Sequence, residues 1–233
     1  MIQRHNRQGF TLIELMLAMS FVSLLLLAIA MLTIHMSNIY TKGITIRDVN
    51  QAGLAISEDL QRSIAGSIPF NVLPNPAVKP DYKNVDDRGG RLCIGEYSYI
   101  WNYGKSLKAS PSTAFTTFTD NSPIRFVKVP DRDPSLCEET GTAVVDKARA
   151  TEMLAGGDRD LVLHSFSIMP AVSDTESGQV LYAIDFVLGT NTEQQIMNGV
   201  CKPPSEGVGD ENYCSLNRFS IIARAGNLPG GSE

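Results

Sequence analysis

Twenty-three consecutive residues, Phe10 to Leu32, carry a single charge, Glu14. As a helix they measure roughly 35 Å at 1.5 Å per residue, enough to cross a hydrocarbon core of about 30 Å. The preceding Met1 to Gly9 holds Arg4 and Arg7 and no acid, the basic-then-apolar order of membrane targeting. A secretory signal has an apolar core of about 7–15 residues. This run goes on well past that, so the segment is expected to stay with the mature chain. Glu14 is the anomaly, because a lone carboxylate in such a run costs about 2.5–3.5 kcal/mol on insertion scales unless it finds a partner.

The chain of 233 residues has room for one such segment and one domain of ordinary size. A 43% hydrophobic content supports a packed core, and a formal net charge of -5 argues against a basic nucleic-acid binder. No fixed-period repeat or low-complexity tract points to a solenoid or a disordered chain.

Gly9-Phe10-Thr11-Leu12-Ile13-Glu14, with its basic leader and long apolar run, resembles the class III leader and cleavage site of type IV pilins and type II secretion pseudopilins. The resemblance covers about the first 35 residues and implies the following. A membrane-bound prepilin peptidase cuts between Gly9 and Phe10 and methylates Phe10. Glu14 becomes the fifth residue of the mature chain, where its carboxylate meets the N-terminal amine of a neighbouring subunit during assembly. That amine would be the missing partner in a water-poor helix bundle. One departure is that many major pilins carry a proline in the apolar run, whereas the first proline here is Pro69.

Beyond Leu32 the pattern turns amphipathic. Ile39, Ile46, Val49, Gly53, Ile56, Leu60 and Ile64 share one helix face, opposite Lys42, Arg47, Asp48, Asn50, Gln51, Glu58, Asp59 and Arg62. One helix is expected from Phe10 to Ala65, about 84 Å long, stopped by Gly66 in a left-handed cap and by Pro69. Residues 69 to 90 read as a loop or linker. Strands are expected at Leu92 to Tyr103, Ile124 to Val129, Leu161 to Ile168, Val180 to Leu188 and Arg218 to Ala225, with Met169 to Gly178 as a hairpin connection and Asp146 to Ala155 as a short helix. The expected fold class is α+β, with the long helix packed on an antiparallel sheet, and the resemblance implies that this is a pilin fold. The divisions are a leader at 1–9, an assembly helix at 10–32, its amphipathic half at 33–66 and an extracytoplasmic head at 67–233.

Cys93, Cys137, Cys201 and Cys214 all fall in the head. Four cysteines admit three pairings, and spacing alone does not choose. We expect Cys201 with Cys214, which resembles the C-terminal disulfide-bounded region of many pilins, and Cys93 with Cys137. Both need an oxidising compartment such as the periplasm or cell surface. A zinc site is the rival, but the spacings fit no common one.

Catalysis has no visible seat. A triad would have to use His164 with Ser165 or Ser167, and a hydrogen-bonded strand histidine is the expectation; no phosphate loop, zinc-protease or nucleophile-elbow motif occurs. Acids near Cys137 (Asp131, Asp133, Glu138, Glu139) and the pairs Asp174/Glu176 and Asp210/Glu211 read as solvated loops, with calcium as the alternative. No cofactor is expected. Tyr97, Tyr99, Trp101 and Tyr103 alternate on one strand; burial against the long helix is expected, a binding platform the alternative.

The expected function is that of a non-enzymatic filament subunit, a minor pilin of a type IV pilus. It would be held in the inner membrane with its head in the periplasm, processed there by the prepilin peptidase, and then assembled with other pilins, on an inner-membrane platform, into a cell-surface or periplasmic filament. Ser57 to Ile64 and Phe219 to Asn227 are similar to PilW-type minor pilins. The alternatives are a J-type pseudopilin of a type II secretion system and, in another class, a membrane-anchored periplasmic binding module that never polymerises. No nucleic-acid partner is expected: without Arg4 and Arg7 the chain has 18 basic and 25 acidic side chains, formally -7.

Overall fold

The computed structural model describes residues 11–73, 80–85, 88–109, 115–132, 135–138, 143–154, 160–174, 178–191, 196–197, 199–202 and 214–226. Helix α1, Leu12–Ala65, is continuous over 54 residues, about 81 Å. No proline interrupts it, and its two glycines, Gly43 and Gly53, do not break it. It starts on Thr11, whose extended backbone makes it the N-cap. It stops at Gly66, as the periodicity predicts, but by another route. Gly66 keeps a right-handed conformation with φ -86° and donates its N–H to Arg62 O. Ser67 completes the cap, its N–H and Oγ both donating to Ile64 O at 3.0 and 2.9 Å.

Every residue of α1 from Leu12 to Tyr40 is exposed, and the buried stripe starts at Thr45 and continues through Val49, Gly53, Ile56, Ser57, Leu60 and Ile64. Ile39 and Ile46, expected in that stripe, are exposed. The head reaches down α1 only to about Thr45, so Ile39 has nothing to pack on, while Ile46, 42% exposed, lines a groove with Val200 and Leu216 at the base of the head.

The stripe meets two antiparallel sheets, not one. The first has the order β1 (Tyr82–Val85), β2 (Gly89–Ile94), β3 (Tyr97–Asn102), β5 (Phe126–Pro130) and β7 (Thr151–Glu152). The second has the order β12 (Leu216–Ala225), β9 (Gln179–Thr190) and β8 (Leu161–Asp174). Two short pairs complete the described strands, β4 (Thr116–Phe118) parallel to β6 (Ala143–Val145) and β10 (Ile196–Met197) antiparallel to β11 (Val200–Cys201). Two short helices, α2 (Gly104–Ala109) and α3 (Ser135–Glu138), join them. Tyr103 bridges to Leu163 where the sheets adjoin. The class is α+β.

Several local expectations are corrected. Leu92 to Tyr103 is a hairpin, because Gly95 at φ +56° turns the chain between β2 and β3. Met169 to Asp174 stays in β8, whose register with β9 shifts around Ala171 just after Pro170. Asp146 to Glu152 is not helical: Asp146 Oδ1 accepts Ala148 N–H in a local turn and Glu152 pairs with the β5 edge. Inside the segment read as a linker, Tyr82–Val85 forms β1.

The main core lies between α1 and the two sheets. Trp101, Phe166, Phe186 and Phe219 form a chain of aromatic contacts across it, with successive centroids at 4.4, 6.2 and 5.1 Å. A smaller core of Ile100, Phe118, Ile124, Val127, Val129 and Val145 covers the other face of β3 and β5.

Candidate assembly site at the start of the long helix

Glu14 occupies the third position of α1, and Thr11 sits at its N-cap. Thr11 Oγ1 accepts the Glu14 N–H at 3.4 Å, while Glu14 Oε2 accepts Thr11 N–H at 3.0 Å and Thr11 Oγ1–H at 2.8 Å. This reciprocal arrangement is a capping box, satisfying donors that the first helical turn leaves unpaired. The charge also lies at the positive end of the helix dipole. Thr11 was not singled out from sequence, although T-x-x-E ahead of an apolar run is the signal that finds it. Glu14 Oε1 makes no hydrogen bond among the described residues, so the carboxylate retains capacity for a second donor. Gly9 and Phe10, the expected cleavage and methylation positions, lie outside the described residues.

Around this site, Leu12 to Tyr40 presents apolar side chains on every side, with none of the membrane-length window buried. By length and composition α1 can cross a bilayer. Ser20, Ser23 and Thr33 turn their hydroxyls back to carbonyls three or four residues earlier, which hides their polarity within the helix.

The amphipathic half is fastened to the head by a polar cluster. Lys128 Nζ donates to both oxygens of Asp59 at 3.0 Å and to Ser63 Oγ at 3.1 Å. Tyr99 OH donates to Asp59 Oδ2 at 2.6 Å. Burial and the Asp59 carboxylate hold the Tyr99 hydroxyl well above the usual phenol range. The aromatic row is thereby divided: Tyr99, Trp101 and Tyr103 are buried, Tyr99 with its hydroxyl on α1 as expected but Trp101 against Phe126 and Phe166 and Tyr103 with its hydroxyl on Asn84 Oδ1, while Tyr97 stays partly open with the Lys128 ammonium 4.1 Å from its ring centroid.

The four cysteines come together as Cys93 with Cys137 and Cys201 with Cys214, with Cα separations of 6.2 and 5.9 Å. Asp131 prepares the first pair: it accepts hydrogen bonds from Ser98 Oγ, Ser135 Oγ and Leu136 N–H, which set the short helix that carries Cys137. That leaves Asp131 engaged in structure. Among the described residues no three His, Cys, Asp or Glu side chains converge as a metal site requires. Asp133, Glu139, Glu176, Asp210 and Glu211 lie outside the described residues. His164 stands at a shift in the β8 register, with Nε2 3.1 Å from Thr190 O.

Comparisons with protein-family models, curated proteins and solved structures return no match to this chain.

Proposed function

We propose that the chain is a filament subunit, a minor pilin of a type IV pilus cut between Gly9 and Phe10 and assembled through α1. One observation carries the reading: a single unbroken helix is bare and apolar over its first half and built into a compact α+β head over its second. An anchored soluble domain needs only a membrane span and a linker. A helix rigidly continuous with its head transmits position from the membrane segment to the head, as stacking of subunits in a filament requires. The unpaired Glu14 Oε1, at the start of that helix, is open to a neighbour's amine, and the two cysteine pairs suit a head exposed to an oxidising compartment.

One observation favours the rival, a membrane-anchored module that never polymerises. Glu14 already has a partner in Thr11, which reduces the need for an intermolecular one. The deciding experiment is mass spectrometry of the N-terminal peptide from membranes and from sheared surface filaments, with and without the peptidase. A methylated Phe10 terminus in the filament fraction is expected. An intact Met1 under all conditions would overturn the proposal.

A further inference from the structure

We propose that the underside of the head docks on anionic phospholipid headgroups of the membrane that α1 spans, through a groove between Lys42 and Lys202. The inference rests on the membrane-spanning part of the reading above and not on the filament.

The position of the groove follows from α1. Leu12 to Tyr40, exposed throughout, extends about 43 Å as a helix, which matches the 40–45 Å of a bilayer with its headgroup layers. The distribution of side chains agrees: apolar residues dominate to Leu32, then Thr33, His35, Ser37 and Asn38 alternate with Ile34, Met36 and Ile39, and Tyr40, 71% exposed, is the residue type of an interfacial belt. Lys42 then emerges half a turn above the surface. Thr45, the first buried residue of α1, marks the base of the head a turn higher.

At that base, Lys42 and Ile46 of α1 face Val200 and Lys202 beside the Cys201–Cys214 pair, across a groove of about 560 Å³. Neither lysine has an acidic partner among the described residues. Val200 is 60% and Ile46 42% exposed, so two cations flank a groove whose lining combines these apolar side chains with the polar Asn50, Ser215 and Asn217. That chemistry complements a phosphodiester with its acyl chain beneath: ammonium groups take the phosphate, and apolar side chains take the glycerol and upper methylenes. Free inorganic phosphate would satisfy the lysines and leave Val200 and Ile46 wet. Glu206, Asp210 and Glu211 follow Lys202 in sequence outside the described residues, so the test is made on the lysines themselves.

The full chain is reconstituted in nanodiscs of phosphatidylcholine and in nanodiscs of phosphatidylcholine with phosphatidylglycerol, and hydrogen exchange is followed at residues 199–202. Exchange slowed by roughly tenfold or more in the anionic discs is expected, since both lysines lie within reach of such a surface. The slowing should vanish in the Lys42→Ser/Lys202→Ser variant, whose thermal melt should match the wild type. Equal exchange in both discs, with the protein inserted, would overturn the inference while leaving the membrane reading intact. Slowing by inorganic phosphate in neutral discs would also overturn it, in favour of a free anion. Failure to insert into either disc would remove the inference and the membrane reading together.

Discussion

Gly53 of α1 receives the ring of Phe219 of β12 so closely that a Cβ at position 53 would stand 2.0 Å from the ring Cζ. This contact sets how near the helix lies to the three-stranded sheet. Phe219 cannot easily yield, because its other side stacks on Phe186 within the main core. Gly53→Ala should therefore destabilise the head by about 1–3 kcal/mol through overpacking, even though alanine favours the helix by about 1 kcal/mol. The check is a chemical melt of the full chain in detergent; an unchanged or raised midpoint would show that the ring moves freely.

The Asp59–Lys128 pair supplies the polar half of the same docking. Both side chains are largely covered, at 24% and 18% exposure, and Tyr99 OH relies on the same carboxylate. Asp59→Ala leaves an ammonium and a hydroxyl facing one another without an acceptor of charge, and should cost about 2 kcal/mol. Asp59→Leu combined with Lys128→Met should recover much of that loss, since neither charge is then left without the other and Tyr99 OH keeps Ser63 Oγ at 2.6 Å as a partner. A double variant no more stable than the single one would refute this account.

Much of this architecture is legible in sequence, and the boundary between what is and what is not has physical causes. The extent of α1 follows from one apolar run and one period-3.6 stripe, both local, so its end at Ala65 is readable to the residue. The hairpin of β2 and β3 is hidden because Gly95 is the only break in a run of strand-forming residues. Asp146 to Glu152 has helical composition, yet a two-residue turn at Asp146 and the open edge of β5 outweigh it. Partners distant in sequence, such as Asp59 with Lys128 or Gly53 with Phe219, exist only once the sheets are placed. At the candidate site the capping role of Glu14 was readable in Thr11-Leu12-Ile13-Glu14, and the intermolecular role rests on resemblance alone.

Glu152 makes stability depend on pH. Burial raises its affinity for a proton more than the N–H groups of Phe126, Arg125 and Leu154 lower it, so its carboxyl titrates above the ordinary glutamate range. The folded state then binds the proton more tightly than the unfolded state. Its contribution is most favourable below the unfolded value of about 4.3 and is lost as pH rises through the raised folded value. Glu152→Gln retains an acceptor for Phe126 and Leu154 but cannot ionise. Between about pH 4 and pH 7 the wild type should lose stability relative to Glu152→Gln. A relative gain over that interval would mean that the backbone donors dominate.

The two cysteine pairs should contribute unequally. Sequence separations of 44 for Cys93–Cys137 and 13 for Cys201–Cys214 correspond, in the loop-closure model, to about 4 and about 3 kcal/mol. Replacing each pair by serines and comparing urea midpoints with the reductant-treated wild type tests this. The first pair should cost more, and either variant alone should be more stable than the fully reduced chain. A midpoint unaffected by the Cys201→Ser/Cys214→Ser variant would show that this loop is tied down by other contacts.

Glu14 allows the two readings of the chain to be separated by one atom type. A capping box accepts glutamine in place of glutamate at the third helical position, so Glu14→Gln keeps Thr11 satisfied and the helix start intact. Pairing with a neighbour's N-terminal amine draws on the negative charge in a water-poor bundle, where an amide is a far weaker partner. If assembly uses Glu14, Glu14→Gln and Glu14→Ala should both be absent from sheared filaments at normal membrane levels. Thr11→Ala loses about 1 kcal/mol of cap and should still be incorporated. Normal recovery of Glu14→Gln from filaments would leave the carboxylate with a capping role only and deprive the filament proposal of its assembly chemistry.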